Sequence, residues 1–158
     1  MIHLNPEDLE SARVGRHFTL AEMVRSETAS RAGLSNLPTE QRILDNLKAL
    51  CAHVLDPLRE ALGPVHVLSG YRSPAVNAMI GGASSSQHLD GEAADVTVSG
   101  HTLDEVFAWL RNLQNTPFDQ VIREFPPGGW VHVSYGPRLR HQALVASKED
   151  GRTVYRPA

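Results

Sequence analysis

The run Ser86-Gln87-His88-Leu89-Asp90-Gly91-Glu92-Ala93-Ala94-Asp95 and the later Trp130-Val131-His132-Val133 contain the residue types from which a metal centre is built. Imidazoles from His88 and His132 and the carboxylate of Asp95 make a three-donor set with room for a water. That open position separates a catalytic zinc site from a closed structural one. In a strand alternate side chains share a face, so His132 projects with Trp130 and Ser134 and away from Val131 and Val133. Asp95 stands between Ala94 and Val96, and an acid among apolar neighbours needs a charge partner if it is buried. A bound cation supplies one. His88 lies in the loop before Asp95, and Gly91 lets the chain turn so that both side chains reach one point. Taken singly, His132 reads as a hydrogen-bonded strand histidine, and Asp95 as a turn cap or a partner for Arg72. The same plain reading holds for His3, His17, His53, His66, His101 and His141.

The elements that must hold these residues follow from periodicity and punctuation. Thr19 with Glu22 forms a capping box that opens a short helix from Leu20 to Arg25, and a loop from Gly33 to Pro38 follows. From Thr39 the apolar positions Ile43, Leu44, Leu47, Leu50, Cys51, Val54, Leu55 and Leu58 define one face of a long helix, which Pro57 should kink or restart. Gly63-Pro64 ends it, and Val65 to Ser69 has the β-branched character of a strand. Ser73-Pro74 opens a short helix to Met79, and Gly81 to Ser86 is a loop. Ala94 to Val98 is a strand carrying Asp95. Thr102 caps a helix whose apolar face holds Val106, Phe107, Leu110 and Leu113. Strands from Asp119 to Phe125 and from Trp130 to Tyr135 flank the turn Pro126-Pro127-Gly128-Gly129. A terminal hairpin pairs Ala143 to Ser147 with Thr153 to Tyr155. Helices first and short strands later predict an α+β fold, a helical N-terminal part packed on a small antiparallel sheet. Gly81-Gly82 lies in the wrong context for a nucleotide cradle.

The 158 residues fit one domain, residues 1–158. A net charge of -3 with scattered basic residues gives no electrostatic footprint for nucleic acid. The single cysteine, Cys51, excludes an internal disulfide, and its place in an apolar helical stripe marks it as a small buried hydrophobe. Met1 to Asp8 lacks a basic region followed by an apolar core, so no secretory signal is expected and the chain is expected to be made in the cytoplasm. No apolar stretch approaches the roughly 20 residues needed to span a bilayer, so no membrane insertion is expected. The expected state is a monomer.

Four segments in order, Ser69-Gly70-Tyr71-Arg72-Ser73-Pro74-Ala75-Val76-Asn77, Gly81-Gly82-Ala83, Ser86-Gln87-His88 through Gly91-Glu92-Ala93-Ala94-Asp95, and Trp130-Val131-His132-Val133-Ser134, resemble the zinc D-alanyl-D-alanine carboxypeptidase family. That family includes phage-type murein endopeptidases and shares its fold with the hedgehog signalling domain. The likeness runs from about His17 to Tyr135. It implies that His88, Asp95 and His132 ligate one Zn2+ per chain with water in the fourth position. It also implies that Arg72 binds the scissile carbonyl or a substrate carboxylate, and that Ser86 and Gln87, with Trp130 beside them, contact substrate. The chemistry agrees: zinc lowers the pKa of bound water towards about 7 and arginine stabilises an oxyanion. A salt bridge from Arg72 to Asp95 or Glu92 is the structural alternative.

Members of that family commonly place the general base, an Asp or Glu, three residues before the last histidine, where this chain has Gly129. The candidate base is instead Glu124, at the end of the preceding strand, with Asp119 and Glu92 as weaker substitutes. If Phe125 pairs with Trp130, Arg123 shares the face of His132 and Glu124 faces away; a slip of one residue or a bulge at Gly128-Gly129 reverses this. The resemblance implies peptidoglycan peptides as substrate, cut by a carboxypeptidase or an endopeptidase, acting at the cell wall or periplasm or as part of a phage. A non-catalytic zinc-binding interaction module of the same fold is the alternative, and it predicts no acid beside the metal.

Overall fold

The computed structural model describes residues Met1–Ala158. The N-terminal part is helical: α1 (Leu20–Val24), α2 (Glu27–Ala32), α3 (Gln41–Leu50) and α4 (Asp56–Leu62). Thr19 and Glu22 form the predicted capping box on α1. The helix α2 lies where no apolar period marks one; Ser26 caps its start and Gly33, in the left-handed region, ends it. Between α3 and α4 the helix widens into a π turn at Cys51–Leu55, just before Pro57. Proline has no N–H to give and its ring crowds the carbonyl one turn back, so the wider ladder relieves both. The stripe still works as one face: Leu47, Leu50, Cys51, Val54, Leu55 and Leu58 are all fully buried.

The remainder is β1 (Val65–Ser69), α5 (Pro74–Met79), β2 (Ala93–Val98), α6 (Leu103–Leu110), β3 (Gln120–Glu124), β4 (Trp130–Ser134), β5 (Gln142–Glu149) and β6 (Arg152–Pro157). Leu113 lies beyond the end of α6 and is exposed rather than on its buried face. The fold is α+β as the sequence indicates, and the six expected strands form one sheet, which is mixed rather than antiparallel. Six strands run in the order β1-β2-β4-β3-β5-β6, and β5 lies parallel to β3. The reason is edge availability: β2 and β3 occupy both sides of β4, so the chain leaving β4 must cross to the free edge of β3. Running antiparallel to β4, it lies parallel to β3.

Alternation divides the sheet into two chemistries. Val67, Val96, Ala94, Val131, Val133 and Val121 point to one face and join a cluster with Leu47, Leu50, Val54, Leu58, Val106 and Leu110 of the helices. The opposite face presents Asp95, His132, Ile122 and Leu144 in one cross-strand row. Trp130, Glu124, Ala146 and Tyr155 form a neighbouring row.

Candidate metal centre

In the ladder β2 sets Asp95 directly opposite His132 of β4. Nδ1 of His132 is 3.1 Å from Asp95 Oδ1, and Nε2 of His88 is 3.3 Å from the same oxygen. The ligand atoms of the three residues all lie within 4.8 Å of one another. Bonds of about 2 Å in tetrahedral geometry put donors roughly 3.3 Å apart, and the two contacts of Asp95, with His132 and with His88, match that spacing. Protonation supports the fit. Nδ1 of His88 is 2.7 Å from the carbonyl of Gly70, which only accepts, so Nδ1 donates there and Nε2 is the nitrogen turned towards Asp95. Nε2 of His88 and the Asp95 carboxylate face each other on side chains only 5% and 11% exposed, a pair that a proton or a metal cation between them would balance. Burial works against the Asp95 charge, yet His88 and then His132 outweigh it and hold the carboxyl well below its usual range.

His88 is presented by a 3-10 turn, Gln87–Asp90, ended by Gly91 in the left-handed region. Gln87 braces that turn: its Nε2 donates to Glu92 Oε2 at 3.0 Å and to Asp119 Oδ2 at 2.8 Å. The amide nitrogen of Gln87 is thus paired inside the protein, on a residue that also lines the cavity described below. Asp119 is fully buried; burial opposes its charge, but hydrogen bonds from Arg140 and Gln87 prevail and pull its carboxyl down to about 2.

Arg72 makes no ion pair with Asp95 or Glu92. Its N–H donates to the His88 carbonyl at 3.0 Å, and its Nη1 donates to Asn77 Oδ1 at 3.1 Å. Gly82 permits this, since a Cβ there would lie 2.1 Å from Asn77 Oδ1. Asn36, buried and missed in the sequence, donates to the carbonyls of Val24 and Tyr71 and accepts from the N–H of Ser73, gripping the chain on both sides of Arg72. A lone asparagine in a loop gives no pattern to read. Burial lowers the Arg72 pKa, with Asp95 pulling the other way.

The hairpin register puts Glu124 opposite Trp130 and Ile122 opposite His132, so Glu124 shares the face of His132 and Arg123 turns to the other side. Phe125, at φ 53°, is the extra residue that sets this register. Arg123 clamps the turn from beneath, donating to the carbonyls of Pro127 and Gly128 and to Asp104. Gly129 sits at φ 74°, and a Cβ there would be 1.8 Å from the Glu124 carbonyl oxygen. The turn that carries Glu124 to the site therefore admits no acid at position 129. Burial raises the Glu124 pKa, His132 lowers it and Asp95 raises it.

One cavity of about 560 Å³ is lined by Arg72, Ser86, Gln87, His88, Asp95, Glu124, Trp130 and His132, every residue that the sequence singled out for the site. Asp119 and Glu92, the substitute bases, do not line it. A cavity of about 620 Å³ beyond Arg72 contains none of the histidines. The profile of the Peptidase M15 family matches residues 16–134, most of the chain and the whole ligand set. The chain belongs to the Peptidase M15 family. Over 86 residues, 52% of this M15 chain and 32% of the relative, it is 34% identical to the zinc D-Ala-D-Ala carboxypeptidase of Streptomyces albus G. The chain spans about a third of that relative's length. The M15 match stops at the end of β4, so Arg138, Arg140, Leu144 and Tyr155, which also line the cavity, come from chain beyond it. No helix is long and apolar enough to cross a membrane.

Proposed function

We propose that this M15 chain is a zinc-dependent peptidase that hydrolyses a peptide bond in the stem peptides or cross-links of bacterial peptidoglycan, as a carboxypeptidase or an endopeptidase. The observation that carries the reading is the convergence of His88, Asp95 and His132 in the cavity that Glu124 also lines. The zinc and the D-alanyl peptide in the name of the Streptomyces albus G relative support it. His88, Asp95 and His132 hold one zinc per chain; bound there, it polarises the scissile carbonyl and acidifies water. Glu124 takes the proton from the attacking water and passes it to the leaving amine. Its buried, raised carboxyl is better matched to that task than an exposed glutamate. Arg72, fixed by His88, Asn77 and Asn36, faces the oxygen on which negative charge grows. Trp130 and Ser86 flank the peptide, and Gln87 holds the turn bearing His88. The site of action is then the cell wall, reached through the periplasm or carried by a phage. The non-catalytic module predicts a site without a facing acid, and Glu124 speaks against it.

The test is a digest of purified peptidoglycan by zinc-loaded and chelator-treated protein, read by mass spectrometry. New amine termini or freed D-alanine with the loaded protein alone support the peptidase and identify the bond. Stoichiometric zinc with no released product contradicts it.

A further inference from the structure

Two guanidiniums enter the cavity from the connection between β4 and β5, and neither has a part in the hydrolysis described above. Arg140 is held rigidly. Its backbone N–H and its Nε donate to Asp119 Oδ1 at 2.8 and 2.9 Å, and its Nη2 donates to Oδ2 at 2.8 Å. Asp119 has no exposed surface, and Gln87 pins it further. This pairing uses the Nε/Nη2 edge of the guanidinium and leaves Nη1 without a protein partner on a side chain that lines the cavity. Arg138, beside it, makes no ion pair at all. Asp119 pairs with Arg140 and Glu92 also acts on it, while Arg138 brings a second guanidinium with no carboxylate of its own to the cavity.

Spacing is fixed as well as charge. Gln87 precedes His88 in the chain, so the one carboxylate of Asp119 anchors both the ligand turn and Arg140. The entropy of ordering that guanidinium is spent on folding rather than on binding. Arg72 follows β1 and Arg140 leads into β5, with β2, β4 and β3 between them, so the two cations stand on opposite sides of the ligand set. Ile122 and Leu144 form an apolar floor between His132 and the Arg140 side.

We propose that Arg140, with Arg138 beside it, is a specificity-determining site for a free carboxylate of the peptide substrate, on the β3–β5 side of the ligand set. A planar guanidinium held in place is the natural partner of a carboxylate. The inference rests on the peptidase reading. The carboxylate is either the C-terminus of the peptide or an acidic side chain.

A stem-type peptide carrying both carboxylates is compared with versions amidated at the C-terminus or at the side chain. The zinc-loaded wild-type protein, Arg138→Gln and Arg140→Lys are used, with zinc content and thermal unfolding measured for each. Arg140→Lys keeps a cation against Asp119, so the buried carboxylate is not orphaned. In the wild type one amidation raises KM about tenfold with kcat little moved, and the amide that does so identifies the carboxylate. In Arg140→Lys that preference falls to about twofold or less while zinc is retained, and Arg138→Gln weakens it in part. A wild type that cleaves the acid and both amides alike overturns the carboxylate site and leaves the peptidase standing. So does a preference undiminished in both variants. A zinc-loaded wild type that cleaves none of the peptides overturns the peptidase reading and the carboxylate site with it.

Discussion

On the proposed reading Glu124 and the three donors have separable tasks, and single substitutions divide them. Glu124→Gln preserves shape and hydrogen bonding but removes the proton acceptor, so zinc stays stoichiometric and turnover falls by about 10²–10⁴. His88→Ala loses zinc and turnover together, since one of three protein ligands is gone. Elemental analysis beside a peptidoglycan digest distinguishes the two patterns, and a Glu124→Gln protein of near-normal turnover reassigns the base. Asp119 makes a different prediction, about stability. Its folded carboxyl is held at about 2 against an ordinary 3.8, so the fold favours the charged form. The sign follows: the stabilisation is complete above about pH 4 and drains away as pH falls towards 2. Asp119→Asn is expected to cost about 2 kcal/mol at pH 7, with the gap to wild type closing by pH 2 in denaturant titrations.

At the scale of elements, the hairpin between β3 and β4 sets Glu124 on the face of His132. Its turn needs Gly129 in the left-handed region with no Cβ, so Gly129→Asp is not expected to supply a base from position 129. It is expected to destabilise the protein by about 2–4 kcal/mol and to lower turnover by displacing Glu124, as unfolding curves and peptide hydrolysis will show. Much of this architecture was legible. Alternation located every strand to within a few residues, and Thr19, Ser73 and Thr102 marked helix starts that the structure shares. The convergence of His88, Asp95 and His132 was legible too, because residue type, strand face and a glycine-bearing approach agreed. What stayed hidden depends on distant choices. Register within the hairpin turns on the single extra residue Phe125, and the parallel β3–β5 pair turns on which strand edge is left free. Asn36 and Asp119 were not legible as braces, since one buried polar side chain leaves no period in a sequence.

Across the whole molecule the core and the candidate site occupy opposite faces of one sheet, sharing strands but not side chains. Chelation is therefore expected to leave the far-UV circular dichroism unchanged while lowering Tm by a few degrees, since bound metal stabilises the fold only by its own affinity. Conversely, Leu55→Ala, deep in the helical stripe, is expected to cost about 2–5 kcal/mol and leave zinc stoichiometry intact. The measurement that bears most directly on the account is zinc stoichiometry and peptidoglycan hydrolysis in parallel for wild type, His132→Ala and Glu124→Gln. The predicted result is one zinc per chain with product for the wild type, neither for His132→Ala, and zinc without product for Glu124→Gln. Full zinc in His132→Ala, or full activity in Glu124→Gln, contradicts it.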